Sequence, residues 1–431
     1  MHMASDSTAP RQIFYGWYIA SIAVLAYFFT NGMSIWVPQN LFPRFMEDFN
    51  ATAGDVSFST GTTLLLSAWL APFAGAMIDR YGVVRVMRTG LIVMAVSFVL
   101  YPFVQSLTQL YVLHGFMALG LIMAGLMPNV VLLSNWFVKR RGAMIGLLVA
   151  SSSLAGAVLP LAISPLVLNP DFGWRWGFGT LSIAFILLAV LPGLLLLKET
   201  PADVNQVPDG IADTNETAAA PESSGVSFGV ALRSRSLWFL GLGSACLWYS
   251  FQAVNSQAMI FFEQEAGLTP QRATLLFSVI YWVSFSGKFL FGVLSDRIAK
   301  QRVLLIAGII MLIGTLILFD FASDQLTLTR NIAQLTAFAI VFGLGFGGCF
   351  TLIQLVTVET FGQAALGKIL GIVILIEGMG GFLGTVVTGR IRDATGDYML
   401  PFLIVIAVEI IGLLGVLLIR PVTTPEKPAD N

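Results

Sequence analysis

Two ionisable residues stand deep inside long apolar stretches of the sequence. Lys288 lies within SVIYWVSFSGKFLFGVLSD, eight residues before Asp296, and Glu377 lies within LIEGMGG. A charge at the centre of a membrane helix costs about 2.5–3.5 kcal/mol on insertion scales, so such residues usually serve a function. A buried ammonium favours an anionic partner, and a buried carboxyl can hold a proton. We therefore predict that Lys288 binds a substrate anion, and that Glu377 carries a proton or pairs with Lys288 in the empty site.

Several buried polar residues also have a structural interpretation. Lys288 could belong to a structural ion pair, and Glu377 could be a satisfied buried carboxyl. We expect Glu409 to be protonated or packed against a neighbouring helix, and His114 to be a satisfied group near a helix end. The residue types and spacings required for a metal cluster, a nucleophile triad or a phosphate-binding loop are not visible. The sequence therefore predicts neither an enzyme nor a cofactor or metal site.

Neutral polar residues in the same apolar stretches are weaker candidates for contact with a solute. Tyr281 precedes Lys288 by seven residues, which places both on one face of a helix, two turns apart. The other candidates share an uncharged amide side chain: Asn31, Asn129, Asn255, Gln257 and Gln354.

The composition requires these residues to be positioned by helices in a lipid bilayer. Of 431 residues, 56% are hydrophobic and only 11% are charged, and the mean hydropathy is +0.83. Soluble domains usually carry about 25% charged residues, so the apolar surface of this chain must face lipid. The net charge of −1 gives no indication of nucleic-acid binding.

Apolar runs of about 20 residues, the length needed to cross a bilayer, recur twelve times. The predicted spans are 17–38, 57–78, 86–104, 109–135, 143–167, 174–197, 237–261, 272–295, 302–321, 333–357, 368–389 and 398–419. The predicted organisation is an all-α membrane protein with a tail (1–16), a six-helix bundle (17–197), a linker (198–236), a second bundle (237–420) and a tail (421–431).

The loops differ in positive charge. With the N-terminus in the cytoplasm, sixteen Lys and Arg residues fall on the cytoplasmic side and six on the other, while Lys288 belongs to neither. Positively charged loops stay in the cytoplasm, so both termini and the linker are predicted to be cytoplasmic. We expect a monomer in the bacterial inner (plasma) membrane. The polar composition of the linker predicts a flexible tether, with a short surface helix within 226–236.

A motif repeats after the second and eighth spans, at an offset of 217 residues. The first copy contains Gly75, Asp79, Arg80, Gly82 and Arg85, and the second contains Gly292, Asp296, Arg297 and Arg302. An Asp here can accept hydrogen bonds from the free N–H groups that open a neighbouring helix, and Arg can bridge a short loop. We expect these residues to close the cytoplasmic side in one state and release it in another, as two repeats rock about a central site. The alternative is that the charges only set the topology.

These residues resemble the signature loop Gly-x-x-x-Asp-Arg-x-Gly-x-x-Arg of the major facilitator superfamily. The resemblance implies two six-helix bundles with alternating access to a site near the middle of the bilayer. A narrower resemblance is to the monocarboxylate and oxalate–formate porter group. It rests on the segments 14–17 (FYGW), 136–142 (WFVKRRG) and 389–398 (GRIRDATGDY), and on a buried cation in the eighth span.

The chain departs from that group at three positions. Lys288 stands where the group usually has arginine, Ser284 where its animal members have aspartate, and apolar Ile35 near the position of their first-span lysine. Their scheme of proton coupling therefore cannot be transferred. The leading hypothesis is transport of a small mono- or dicarboxylate by proton symport or anion exchange. The alternatives are a facilitator or efflux pump for a neutral or cationic solute, and a sensor of the same fold that does not transport.

Overall fold

A computed structural model describes residues 14–210, 225–321, 326–362, 364–420 and 422. These residues contain twelve helices that are long and apolar enough to cross a membrane. Their bounds are Gly16–Asn40, Ala53–Tyr81, Val83–Phe103, Leu107–Trp136, Arg141–Val167, Gly173–Leu196, Arg235–Glu265, Pro270–Ser295, Lys300–Ile317, Ile332–Phe361, Leu366–Thr395 and Met399–Leu417. The predicted all-α fold with twelve spans is confirmed.

Most span ends lie within four residues of the prediction, and the ends of the ninth and eleventh spans illustrate the causes of the differences. The eleventh span continues six residues beyond 389 to Thr395 and ends at Gly396, whose φ of 86° is the left-handed conformation that glycine adopts easily. The polar residues at this helix end look like a loop in the sequence. The ninth span ends at Ile317, and the next residues, Phe319–Asp320, pair with Thr327–Leu328 as a short antiparallel hairpin.

The first part of the linker is folded against the first bundle, which corrects the prediction of a flexible tether for 198–210. Asp209 accepts hydrogen bonds from the backbone N–H groups of Val138 (2.8 Å), Lys139 (2.7 Å) and Arg140 (3.4 Å). Glu199 accepts one from the N–H of Val83, at the start of the third span. The linker therefore covers the loop between the fourth and fifth spans.

The last part of the linker is attached to the second bundle. The N–H of Val226 donates to the carbonyl of Phe361 at 3.0 Å, and the predicted short helix is present as Phe228–Arg233. The middle of the predicted linker, 211–224, and most of both predicted tails lie outside the described residues. We call the membrane side that holds these two linker segments the linker side, and the opposite side the far side.

The second and eleventh spans join the two bundles from the far side to the middle of the membrane. A Cβ atom at Gly389 would lie 3.0 Å from the Cα of Gly54, so these backbones touch. Gly378 packs against Ala68 near the middle of both spans. Nearer the linker side this contact ends, and the glycines there have open space where a Cβ would be: Gly367 and Gly371.

The fifth and eighth spans repeat this pattern. Gly156 packs against the ring of Tyr281, and the hydroxyls of Ser153 and Ser284 lie 3.2 Å apart. Toward the linker side the glycines again have nothing within 4 Å of a Cβ position: Gly142, Gly146 and Gly292. The two bundles therefore meet on the far side and separate toward the linker side.

Candidate functional site

Lys288 contacts the fifth span close to the level at which the bundles separate, one turn before Gly292. Its side chain is buried, with a relative exposure of 6%, and its Nζ donates a hydrogen bond to the carbonyl oxygen of Val149 at 3.0 Å. The same Nζ lies 4.4 Å from the ring centroid of Phe350, a cation–π contact. Among the described residues, no carboxylate oxygen lies within 4.0 Å of it. In this state, the carbonyl oxygen of Val149 and the ring of Phe350 therefore compensate the positive charge of Lys288.

Glu377 lies at a corresponding level on the eleventh span. It is next to Gly378, which marks the middle of the contact with the second span, and its side chain is partly exposed. The Glu377 carboxyl group has no hydrogen bond or ion pair with another described residue. The ion pair between Lys288 and Glu377 that the sequence analysis considered for the empty site is not formed in this state.

Aromatic side chains lie between these two charged positions. Phe350 is 5.5 Å from Trp248, measured between ring centroids. Trp248 in turn covers Gly381, one helical turn from Glu377, where a Cβ would be 2.6 Å from the indole Cδ1. We call Phe350 and Trp248 the aromatic shelf. An apolar surface next to an ammonium suits an organic anion with a small hydrocarbon part.

Three polar candidates lie farther toward the far side, where the bundles are closed. Tyr281 is fully buried, with its ring 5.0 Å from that of Trp36. The Nδ2 of Asn255 donates to the Oε1 of Gln39 at 2.5 Å across the boundary between the bundles. The Nε2 of Gln257 also crosses this boundary, donating to the Ser57 hydroxyl at 2.7 Å. These groups close the far side in this state and do not line an open cavity.

The remaining amide candidates have different surroundings. Asn129 uses its Nδ2 to bond the carbonyls of Ala124 (2.9 Å) and Gly125 (2.7 Å), at the break in the fourth span, which indicates a role in shaping the helix. The Oδ1 of Asn31 accepts a hydrogen bond from Ser152 at 2.6 Å, joining the first and fifth spans. Gln354 is partly exposed, and its side-chain amide has no hydrogen bond to another described residue.

A known protein family matches this chain along most of its length. A family model described as the Major Facilitator Superfamily matches residues 24–269 and 240–431. The chain belongs to this superfamily.

Relatives within the superfamily agree with the narrower resemblance. Monocarboxylate transporter 11 of Homo sapiens is 25% identical over 415 residues, covering 93% of this chain and 82% of the relative. Monocarboxylate transporter 3 of Rattus norvegicus is 25% identical over 401 residues, covering 90% and 76%. Uncharacterized MFS-type transporter YhjX of Escherichia coli (strain K12) is 26% identical over 335 residues, covering 77% of each chain. The chain is thus an integral membrane protein of a transporter superfamily, and it resembles the monocarboxylate group.

The repeated superfamily motif is exposed on the linker side. The carboxylates of Asp79 and Asp296 have no hydrogen bond or ion pair with another described residue, and both lie at the open end of the molecule. The expected contacts with a neighbouring helix are therefore absent from this state, as they should be when the linker side is open. The other motif residues lie at the linker-side ends of the helices that meet there: Gly75 and Arg80 in the second span, Arg85 in the third, Gly292 in the eighth and Arg302 in the ninth, with Gly82 and Arg297 in the connections.

The far side carries the kind of helix-capping contact that we expected for Asp79. The carboxylate of Asp393, on the eleventh span, accepts hydrogen bonds from the N–H groups of Ala53 (3.0 Å) and Gly54 (2.8 Å), which open the second span. Arg44, in the short helix Phe42–Phe49 that follows the first span, forms an ion pair with Glu263 at the end of the seventh span on the same side. From the sequence, Asp393 was recognised only as part of the segment 389–398 that resembles the porter group. A signal for a contact at this position is the combination of both signs of charge in Arg390, Arg392 and Asp393.

His114 and Glu409 occupy buried positions within single bundles. The ring nitrogens of His114 lie 2.8 Å from the Thr63 hydroxyl and 2.9 Å from the Tyr101 hydroxyl. Glu409 accepts a hydrogen bond from Thr315 at 3.0 Å, between the ninth and twelfth spans. Both arrangements agree with the expected structural roles, and His114 is fully buried within its bundle.

Proposed function

We propose that the chain is a secondary active transporter of a small organic anion, a mono- or dicarboxylate, that works by alternating access. The observation that carries this proposal is the position of Lys288. It supplies a buried ammonium where the opening between the bundles begins, without a carboxylate partner among the described residues. Desolvating such a charge is costly, and a bound carboxylate would compensate it.

The surroundings of Lys288 support an organic anion. The aromatic shelf provides an apolar surface beside the ammonium. The printed names of the relatives Monocarboxylate transporter 11 and Monocarboxylate transporter 3 point to the same class of solute. In this proposal the linker side is the cytoplasmic side of a bacterial inner membrane, and the structure is the state open to the cytoplasm.

Two modes of coupling fit the site. Glu377, partly exposed at the same level, would take up and release a proton in symport. In anion exchange, Lys288 would instead need a carboxylate on each passage, and Glu377 would keep a fixed protonation state. A pH gradient separates these modes because it drives uptake only if a proton moves with the anion.

The test is uptake of labelled formate, acetate, lactate, pyruvate, oxalate and succinate into proteoliposomes that contain the purified protein. We expect saturable uptake of at least one of these anions and loss of flux to background in Lys288→Ala. Lys198→Ala is the matched control because Lys198 is an exposed lysine on the linker side. Empty vesicles with a pH gradient test symport, and vesicles preloaded with the same anion test exchange.

The outcomes separate the competing functions. Normal affinity and flux in correctly folded Lys288→Ala would reject the anion site and favour a neutral or cationic solute. Saturable binding by the wild-type protein without flux under either condition would indicate a sensor of the same fold. Uptake that depends on Lys288, but not on a pH gradient or preloading, would leave the anion site intact and remove both coupling schemes.

A further inference from the structure

The end of the eleventh span contacts the other bundle through a carboxylate that caps a helix. One oxygen of Asp393 accepts from the N–H of Ala53 at 3.0 Å, and the other accepts from the N–H of Gly54 at 2.8 Å. The first N–H groups of a helix have no partner within the helix, and a negative charge is favoured at that end. Asp393 thus satisfies two donors that belong to the other bundle.

In a second contact beside the first, the carboxylate belongs to the first bundle and its partner to the second. The Nη1 of Arg390 lies 2.9 Å from the Oδ1 of Asp55, so each bundle presents a carboxylate to the other. Asp55 is held in place by its own capping box with Thr52, whose hydroxyl accepts from the Asp55 N–H at 3.3 Å. This ion pair is partly exposed to solvent, so we expect it to be weaker than the capping bonds.

The backbones at this junction leave no room for a side chain. A Cβ at Gly389 would lie 2.9 Å from the Ser57 hydroxyl oxygen and 3.0 Å from the carbonyl oxygen of Ala53 and the Cα of Gly54. Both bundles must therefore approach to backbone contact for Asp393 to reach its donors. The capping bonds report and stabilise one arrangement of the bundles, because they join groups that separate when the far side opens.

We propose that Asp393 and Arg390 form a far-side latch that sets the fraction of molecules open toward the linker side. Opening the far side breaks two hydrogen bonds to a carboxylate and one ion pair, and it leaves the start of the second span without its partner from the other bundle. The latch acts on the equilibrium between the two states and needs no particular substrate. It gives a function to the segment 389–398, which entered the sequence analysis only as a resemblance.

The latch can be tested by measuring a distance across the far side. Spin labels at Gln105→Cys in the first bundle and Thr327→Cys in the second lie at exposed far-side positions, in a protein with both native cysteines replaced by alanine. Double electron–electron resonance spectroscopy, in lipid nanodiscs without substrate, gives the populations of short and long distances between the two labels. Asp393→Ala removes both capping bonds, and Asp393→Asn retains one acceptor oxygen.

A glycine pair provides a test that changes no charge. Gly389→Ala places a methyl group into the backbone contact between the bundles, whereas Gly371→Ala adds the same methyl to the same helix where nothing lies within 4 Å. Asp171→Ala, on an exposed far-side loop, is the charge control for Asp393→Ala. Thr52 still caps the second span from within its own bundle, so we expect the variants to fold.

The expected result is an increase of about tenfold in the ratio of long to short distances for Asp393→Ala, since a hydrogen bond to a charged group is worth about that factor or more. Asp393→Asn should shift the ratio less, Gly389→Ala should shift it in the same direction, and both controls should leave it unchanged. Unchanged distance distributions in folded Asp393→Ala and Gly389→Ala would overturn the latch. This readout contains no substrate, so its failure is distinct from failure of the proposed anion transport.

Discussion

The ammonium of Lys288 donates a hydrogen bond to the carbonyl oxygen of Val149 at 3.0 Å, across the boundary between the two bundles. This bond lies where the fifth and eighth spans stop touching. An incoming carboxylate would replace a neutral carbonyl with a charged acceptor, which forms a stronger hydrogen bond. In the proposed transport, the substrate would therefore compete with a contact that joins the bundles, and this would link binding to their movement.

Lys288→Arg should retain part of the transport activity and change the preference among carboxylates. The positive charge remains, but the planar guanidinium can bind a carboxylate through two parallel hydrogen bonds. It is also larger than the ammonium, so the side chains around position 288 must adjust to it. The measurement is the ratio of uptake rates for lactate and oxalate in proteoliposomes, compared with wild type. An identical ratio at equal expression would indicate that the side chain at 288 does not contact the anion.

Glu377→Gln should abolish uptake driven by a pH gradient while leaving exchange of preloaded substrate measurable. The amide keeps the size of the carboxyl but cannot take up and release a proton. Both activities are measured on the same vesicles, with Glu359→Gln as a control on the linker-side surface, where Glu359 pairs with Lys300 at 3.7 Å. If both activities of Glu377→Gln match wild type, the residue has no part in coupling.

Asp79→Asn should slow transport more than it weakens substrate binding. The Asp79 carboxylate makes no hydrogen bond or ion pair to a described residue in the present state, so its replacement by an amide should not affect the affinity of that state. Its expected partner is a helix end that it meets only when the linker side closes. Turnover is measured by exchange and affinity by equilibrium binding. Unchanged turnover at equal expression would remove the gating role.

Docking of the linker should depend on pH through Asp209. Burial alone would raise the pKa of this carboxyl, but hydrogen bonds from the N–H groups of Lys139, Val138 and Arg140 and the Arg140 charge together lower the pKa below its usual 3.8. A lowered pKa means that docking is stabilised above pH 3.8 and that this contribution is lost as the pH falls through the folded value. The contact is therefore complete at neutral pH and weakens below about pH 4.

Amide hydrogen exchange at 138–140, corrected for the intrinsic effect of pH, measures this docking. We expect protection at pH 7 and its loss in strong acid. Asp209→Asn should weaken protection at neutral pH and remove its acid dependence, because an amide offers one acceptor oxygen and does not titrate. Asparagine also tolerates the left-handed backbone found at 209, where φ is 58°, so strain is not introduced. Protection that is unaffected in Asp209→Asn would contradict the role of the carboxylate.

The sequence predicts the number and position of the spans because hydrocarbon thickness sets the length of each apolar run. It also places Lys288 and Glu377 near the middle of the membrane for the same reason. The extension of the eleventh span to Thr395 was not predicted, since Arg390 and Asp393 are polar and resemble a loop. The donors that bind Asp393 and Asp209 are backbone N–H groups, which every non-proline residue possesses and no sequence pattern marks.

The open state of the linker side also cannot be obtained from the sequence. The same residues must support both arrangements of the bundles, so their types do not distinguish one from the other. Asn255 and Gln257 illustrate this point. Both were predicted to contact a solute, yet here their amides bond across the closed far side. The position of each side chain depends on which side of the membrane is open.

Lys288 and Glu377 belong to the same bundle, on the eighth and eleventh spans, and the residue that corresponds to Lys288 in the first bundle is Ala71. A rigid tilt of one bundle against the other therefore leaves the separation of the two charges unchanged. In the proposed transport cycle, closing the bundles would therefore not bring these two charges together, and a bound anion or a proton would neutralise them. For this reason the response of transport to membrane voltage should reflect mainly the net charge of what is carried, and little of it should come from a moving pair of protein charges.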